Sequence, residues 1–136
     1  MDKFIFVCTG NTCRSPLAES YARMKYPDKD ISSRGLFVME QSTNSHSLNI
    51  IEENGLPAPS EPEQLTKADI ESGTLLVMGR SHKQAIHTQW PEADVRLLSE
   101  YAGESTADVP DPYGGTAARY EEVFLHLKKY IDKFNW

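Results

Sequence analysis

Nine residues near the N-terminus concentrate the chemistry of the chain: Cys8-Thr9-Gly10-Asn11-Thr12-Cys13-Arg14-Ser15-Pro16. They combine a nucleophile, a planar cation and small residues that let a backbone turn tightly. Gly10 takes a positive φ at no steric cost, and Asn11 tolerates that region better than most residues. Successive N–H groups in such a turn face inward and form an anion-binding nest. Arg14 adds a fork that grips two phosphate oxygens at once. A thiolate at Cys8, facing that cradle, is a nucleophile for phosphoryl transfer. Cys8 and Arg14 are therefore the candidate catalytic pair, and Thr9 through Ser15 the candidate phosphate-binding set. A metal is not expected, because Cys8 and Cys13 are two thiols where a structural zinc takes about four ligands. The chemistry calls for no cofactor.

A loop of this kind needs a strand before it and a helix after it. Phe4 to Val7 predicts a buried parallel strand. Residues 16 to 25 predict a helix, with Ser15 as its N-cap, Pro16 in its first position and Tyr26-Pro27-Asp28 ending it. Its unpaired N–H groups and positive dipole end favour an anion. Ile31 to Val38 predicts a second strand, broken by Gly35. Ser45 or Ser47 can cap a helix running to about Asn54, where Gly55 stops it. Residues 56–62 hold three prolines and read as an extended loop. Thr66 can cap a short helix through about Glu71. Residues 74–78 form a third strand, Ser81 starts a helix ended by Trp90-Pro91, and 95–98 form a fourth strand. Residues 99–115 are a polar loop carrying Asp111. Thr116 caps a last helix, striped by Tyr120, Val123, Phe124, Leu127, Tyr130, Ile131 and Phe134. The alternation specifies an α/β fold, a parallel sheet with helices on both faces. Ligands of such sheets sit at the carboxyl ends of the strands, where Cys8 falls.

The chain has 136 residues, which predicts one domain over residues 1–136. A net charge of −6 argues against nucleic acid as a partner. No apolar run approaches the ~20 residues of a membrane span, and Lys3 is followed by too short an apolar run for a secretory signal. Both cysteines lie in one motif rather than in a disulfide framework, so a reducing cytoplasm is the expected location. His82 and His87 are five residues apart and do not share a helix face as metal ligands would. They and the isolated His46 and His126 are expected to be structural or surface residues.

Cys8 to Pro16, taken with Asp111-Pro112-Tyr113 near the C-terminus, resembles the low-molecular-weight protein tyrosine phosphatases. The likeness extends to a bacterial branch that includes protein-arginine phosphatases. It implies a three-layer sandwich on a four-stranded parallel sheet in the order 2-1-3-4. It also implies a cysteinyl-phosphate intermediate on Cys8. Ser15 would donate to the sulfur, and Asp111 would be general acid and then general base. Asp111 is otherwise a turn residue before Pro112. Ser33, in Ser33-Arg34-Gly35, corresponds to a serine that supports the phosphate loop, although Arg34 departs from the usual alanine. Tyr113 corresponds to a residue flanking the substrate ring. Cys13 corresponds to a thiol that can form a reversible disulfide with the nucleophile, against a passive packing role. A histidine that commonly braces the loop is replaced by Ser60-Glu61-Pro62-Glu63. The implied partners are phosphorylated proteins, with inorganic phosphate or vanadate as inhibitors. An arsenate reductase of this fold would need further cysteines after Cys13, and none is present. A non-catalytic phosphate-binding module would need neither a reactive Cys8 nor Asp111. Thr12, where tyrosine phosphatases usually carry an aliphatic residue, points to phosphoarginine. Tyr113 points to phosphotyrosine.

Overall fold

The computed structural model describes residues 3–134. In chain order its elements are β1 (Lys3–Cys8), α1 (Arg14–Lys25), β2 (Asp30–Gly35), α2 (Ser45–Glu53), α3 (Lys67–Ser72), β3 (Gly73–Val77), α4 (Arg80–Gln89), β4 (Val95–Leu97), α5 (Leu98–Tyr101) and α6 (Ala117–Ile131). The strands pair in parallel as β2-β1-β3-β4, the order that the resemblance implies.

Strand alternation sorts the core into two layers. Phe4, Phe6 and Cys8 of β1 belong to a cluster shared with Leu17 and Tyr21 of α1, Ile50 of α2 and the buried stripe of α6. Ile5 and Val7 belong to a second cluster with Ile70 of α3 and Ile86 of α4. The central strand is thus apolar on both faces, as a parallel strand between helix layers must be. All six α6 stripe residues from Tyr120 to Ile131 are buried, and Phe134 is buried just past the helix end. Each such side chain contributes roughly 1.5–3 kcal/mol of transfer free energy.

Several boundaries differ from expectation, each for a physical reason. α1 begins at Arg14, and Cys13 rather than Ser15 is its N-cap. The Ser15 hydroxyl is occupied inside the site, as described below. β2 ends at Gly35, not Val38, because β1 ends opposite it at Cys8. Leu36 and Phe37 then donate their amides to the carbonyls of Cys8 and Thr9, at 3.1 and 2.8 Å. α2 is capped by Asn44, whose side chain accepts from the His46 amide at 2.9 Å. Ser47 is buried instead and donates to the Cys13 carbonyl at 3.3 Å. Leu98 opens the short helix α5 rather than closing β4, so the polar loop begins after Tyr101. Thr66 caps α3 as expected, in a reciprocal capping box with Asp69.

Gly35 lies where the end of β2 touches the phosphate loop. A Cβ placed on it would sit 2.7 Å from Val38 Cγ2 and 3.0 Å from the Asn11 backbone nitrogen. The valine methyl can move, but the Asn11 backbone cannot without reshaping the loop. Gly35→Ala is expected to destabilise the fold by about 1–3 kcal/mol. Urea unfolding measures that cost, and turnover should fall with it; an unchanged midpoint would show that the loop accommodates the methyl.

Candidate active site

The nucleophile loop runs from the carboxyl end of β1 into α1, and its backbone is held from outside. Its Cys8, Thr9 and Thr12 carbonyls accept from the amides of Leu36, Phe37 and Asn44 at 3.1, 2.8 and 2.8 Å. Carbonyls turned outward leave the intervening amides for an anion at the centre. Asn11 carries φ of 56°, the left-handed turn expected of this loop.

The orientation of the Asn11 carboxamide decides the direction of a whole hydrogen-bond chain. The Glu63 backbone amide donates to Asn11 Oδ1 at 2.9 Å, so the other end of the amide is the NH2 group. That group donates to Ser15 Oγ at 2.8 Å and to Ser33 Oγ at 3.0 Å. Both hydroxyls are therefore acceptors from Asn11 and direct their own protons onward. Ser15 donates to Cys8 Sγ at 2.9 Å. Ser33 donates to Glu19 Oε1 at 2.5 Å. The nucleophilic sulfur thus faces a hydroxyl donor whose acceptor side is taken by Asn11.

Glu19 was not singled out by the sequence, yet it terminates this chain. Its carboxylate is fully buried and also accepts from the Ser60 amide at 3.1 Å, Ser60 Oγ at 2.9 Å and Arg23 Nη1 at 2.9 Å. Ser60 and Glu63 thus brace the loop in the segment where the resemblance implied a histidine. Arg34, the departure from the usual alanine, ties the same region together through Glu63 and Asp69 at 3.1 and 3.2 Å.

Arg14 is buried, and its Nη1 donates to the Val109 carbonyl at 2.9 Å. Its Nη2 lies 3.8 Å from Asp111 Oδ2, so the structure brings Asp111 to the phosphate loop. Asp111 also accepts from the Tyr113 amide at 3.0 Å, which fixes the turn around Pro112. A cavity of about 240 Å³ opens over the loop, lined by Cys8, Thr12, Arg14, Asp111 and Tyr113 among others. Phe37, Met39 and Glu40, also absent from the sequence expectation, complete its mouth. Phe37, Met39 and Tyr113 are largely exposed there. Thr9 and Gly10 line the cavity too, whereas Ser33 lies behind the loop, fully buried.

Both cysteines are free. Cys13 Sγ faces Tyr120 Oη at 3.5 Å and Thr12 Oγ1 at 3.7 Å, and burial pushes its thiol up. Among the described residues no group of three or more His, Cys, Asp or Glu is placed to hold a metal ion. Of the histidines, His126 is exposed, His87 bonds the Ala93 carbonyl at 3.0 Å and His46 packs on Tyr120. His82 is buried beside the loop, with Nε2 hydrogen-bonded to Thr9 Oγ1 at 3.0 Å. Burial first, and the Arg14 charge second, push its pKa down to about 4, against the opposing pull of Asp108 and Asp111.

The sequence model described as low molecular weight phosphotyrosine protein phosphatase matches residues 3–135. A Staphylococcus epidermidis protein named low molecular weight protein-tyrosine-phosphatase PtpB is 39% identical over 136 residues, covering 98% of this chain and 97% of its own. The YwlE arginine phosphatase of Geobacillus stearothermophilus superposes with a TM-score of 0.92 at 33% identity, covering 98% of this chain and 90% of that one. A YwlE arginine phosphatase C→S variant with a phosphorylated active-site serine superposes at 0.89 with 31% identity, covering 98% and 92%. Fold, loop and likeness together define a hydrolase of the cysteine-dependent protein phosphatase class. The chain belongs to the low molecular weight phosphotyrosine protein phosphatase family.

The buried histidine carries a pH signature. A folded-state pKa of about 4 lies below the ordinary His value of about 6.5, so between them the unfolded chain binds more protons. The stability tied to neutral His82 is complete above about pH 6.5 and is lost as pH falls toward 4. His82→Gln cannot titrate, so its denaturation midpoint should fall less across that window than the wild-type midpoint does. Parallel curves for the two proteins would show that His82 is not the group responsible.

Proposed function

We propose that this enzyme removes phosphate from phosphoarginine side chains of proteins through a covalent phosphocysteine. The observation that carries the substrate reading is Thr12: it lines the cavity, and among the described residues its hydroxyl meets Cys13 Sγ at a long 3.7 Å. That hydroxyl can accept from a guanidinium N–H or orient an attacking water. An aromatic ring offers no such donor and would gain more from an aliphatic arm. The structural likeness to YwlE arginine phosphatases supports the same reading.

In the first step the Cys8 thiolate attacks phosphorus in line. An S–P bond forms, the P–N bond breaks, and Asp111 gives its proton to the departing guanidine nitrogen. Arg14 and the loop amides hold the equatorial oxygens where charge gathers. In the second step water attacks phosphorus while Asp111 takes its proton, the S–P bond breaks, and phosphate leaves. The Ser15 hydroxyl, already aimed at sulfur, stabilises the thiolate that departs. The phosphorylated serine of the related YwlE variant supports assigning the covalent step to Cys8.

A second reading, phosphotyrosine, is favoured by the exposed Phe37 and Tyr113 at the mouth, which suit the faces of an aromatic ring. The name of the PtpB relative favours it too. Exchange of Thr12 separates the two. One hydrogen bond to a charged group is worth roughly 1.5–3 kcal/mol, or about one to two decades in rate ratio. Thr12→Ile should lower kcat/KM on phosphoarginine peptides and raise it on phosphotyrosine peptides. Rates that move together, or not at all, would favour the phosphotyrosine reading.

The roles of Cys8 and Asp111 are tested apart from the substrate. Cys8→Ser should abolish turnover of p-nitrophenyl phosphate while keeping vanadate binding. Asp111→Ala should lower kcat by about 10²–10⁴ on esters with poor leaving groups, and less on activated aryl phosphates. Equal losses on both would leave Asp111 as a turn residue only.

A further inference from the structure

The first turn of α4 touches both loops of the site. On one side, His82 reaches Thr9, the residue that follows the nucleophile. On the other, Asp108 reaches back to the start of the helix. Gly79 is the N-cap of α4 and has no side chain to serve the first helical amides. Asp108 serves in its place: its Oδ1 accepts from the Arg80 amide at 3.0 Å and from Arg80 Nε at 3.4 Å. A carboxylate at a helix N-terminus is favoured by the dipole as well as by the hydrogen bond. The two side chains converge on Gly79, where an added Cβ would lie 3.5 Å from both Asp108 Cγ and His82 Nδ1.

Asp108 begins the segment that carries Asp111. The next residue, Val109, is buried; its amide donates to the Met78 carbonyl at 2.7 Å, and its carbonyl accepts from Arg14 at 2.9 Å. The acid segment is therefore pinned at its root, and at its tip Asp111 is half exposed, 3.8 Å from Arg14 Nη2.

We propose that His82 and Asp108 are positioning residues, joined through the first turn of α4, that set the placement of the Cys8 loop relative to the Asp111 loop. The proposal rests on Asp111 being the proton donor. His82 carries a cost that packing alone would not require: its Nδ1 is buried without a hydrogen-bond partner among the described residues. An apolar side chain would fill the same volume without leaving that atom unpaired. What the ring supplies in return is the bond to Thr9, and it supplies it uncharged, so no second cation competes with Arg14 for the anion. Asp108 spends one carboxylate on a helix that could have been capped by its own residue, and so links α4 to the acid segment. Helix α4 is anchored in the core by Ile86, which makes it a fixed reference for both loops.

The test uses the full chain and its variants His82→Ala, His82→Gln, Asp108→Ala, Asp108→Asn and Asp111→Ala, assayed well below their melting temperatures. Two quantities are read: inhibition by inorganic phosphate, and kcat on an activated aryl phosphate against an ester with a poor leaving group. His82→Ala should weaken phosphate inhibition about tenfold while leaving the leaving-group ratio unchanged. Glutamine, which can still reach Thr9, should restore most of it. Asp108→Ala should lower kcat on the poor leaving group by about three- to tenfold and spare both the activated ester and phosphate inhibition. Asparagine, still able to cap, should recover part of that loss. The proposal is overturned if either alanine variant keeps wild-type kinetics. It is overturned equally if the losses in Asp108→Ala fall alike on both esters, or if the conservative variants rescue nothing. Asp111→Ala keeps the two readings apart: a leaving-group effect there without one in Asp108→Ala sinks the brace alone. Equal losses in Asp111→Ala sink the acid role, and the phosphate affinity of His82→Ala then decides the His82–Thr9 half by itself.

Discussion

The site depends on one carboxamide. Asn11 accepts from the Glu63 amide and donates to two serine hydroxyls, and this fixes the direction of every bond beyond it. Were the amide reversed, its oxygen would face both hydroxyls, and the Ser15 proton would be drawn away from sulfur. A single hydrogen bond of this kind contributes about 0.5–1.5 kcal/mol net, but leaving a buried partner unsatisfied costs about 1–3 kcal/mol. The chain is thus held mainly by the penalty of breaking it. The positive φ of Asn11 belongs to the same constraint, since the turn that opens the anion nest also aims the carboxamide into the protein.

Glu19 gives the chain its fixed end. A fully buried carboxylate costs several kcal/mol unless its oxygens are paired. Here Ser33, Ser60 and Arg23 satisfy it, and the Arg23 guanidinium is half in solvent. Neither a serine hydroxyl nor a guanidinium changes charge between about pH 5 and 8, as a histidine in this place would. Arg34 extends the same logic to the sheet edge, where it ties β2 to Glu63 and to the Asp69 capping box of α3.

The cavity divides into a buried floor and an open mouth. Cys8, Thr12, Cys13 and Arg14 are buried, whereas Phe37, Met39 and Tyr113 stand in solvent. A floor of amides and one guanidinium reads only the phosphoryl group, which phosphotyrosine and phosphoarginine share. Discrimination between them falls to groups beside that floor, and Thr12 and Asp111 both line the cavity. This division fits the presence of enzymes named for either substrate among proteins of closely similar fold.

Much of the fold was legible in the sequence because its signals are local. The apolar run at Phe4 to Val7, the spacing of the α6 stripe, the Thr66 cap and the small residues of the loop each act within a few positions of themselves. The same holds for Cys8, Arg14 and Asn11, whose types and spacing announce a phosphate cradle. What only the tertiary structure decided are the partners. Thr9 meets His82 across 73 positions, Ser60 meets Glu19 across 41, and Asn11 meets Glu63 across 52. No periodicity marks Glu19 as buried, because it stands as a charged residue amid the apolar positions of α1. The early end of β2 and the passing of the α1 cap from Ser15 to Cys13 have the same origin. A hydrogen bond forms only when donor and acceptor meet within a few tenths of an ångström and in the right direction. Residue types say which groups can bond, and the packing of the helices on the sheet chooses which of them do.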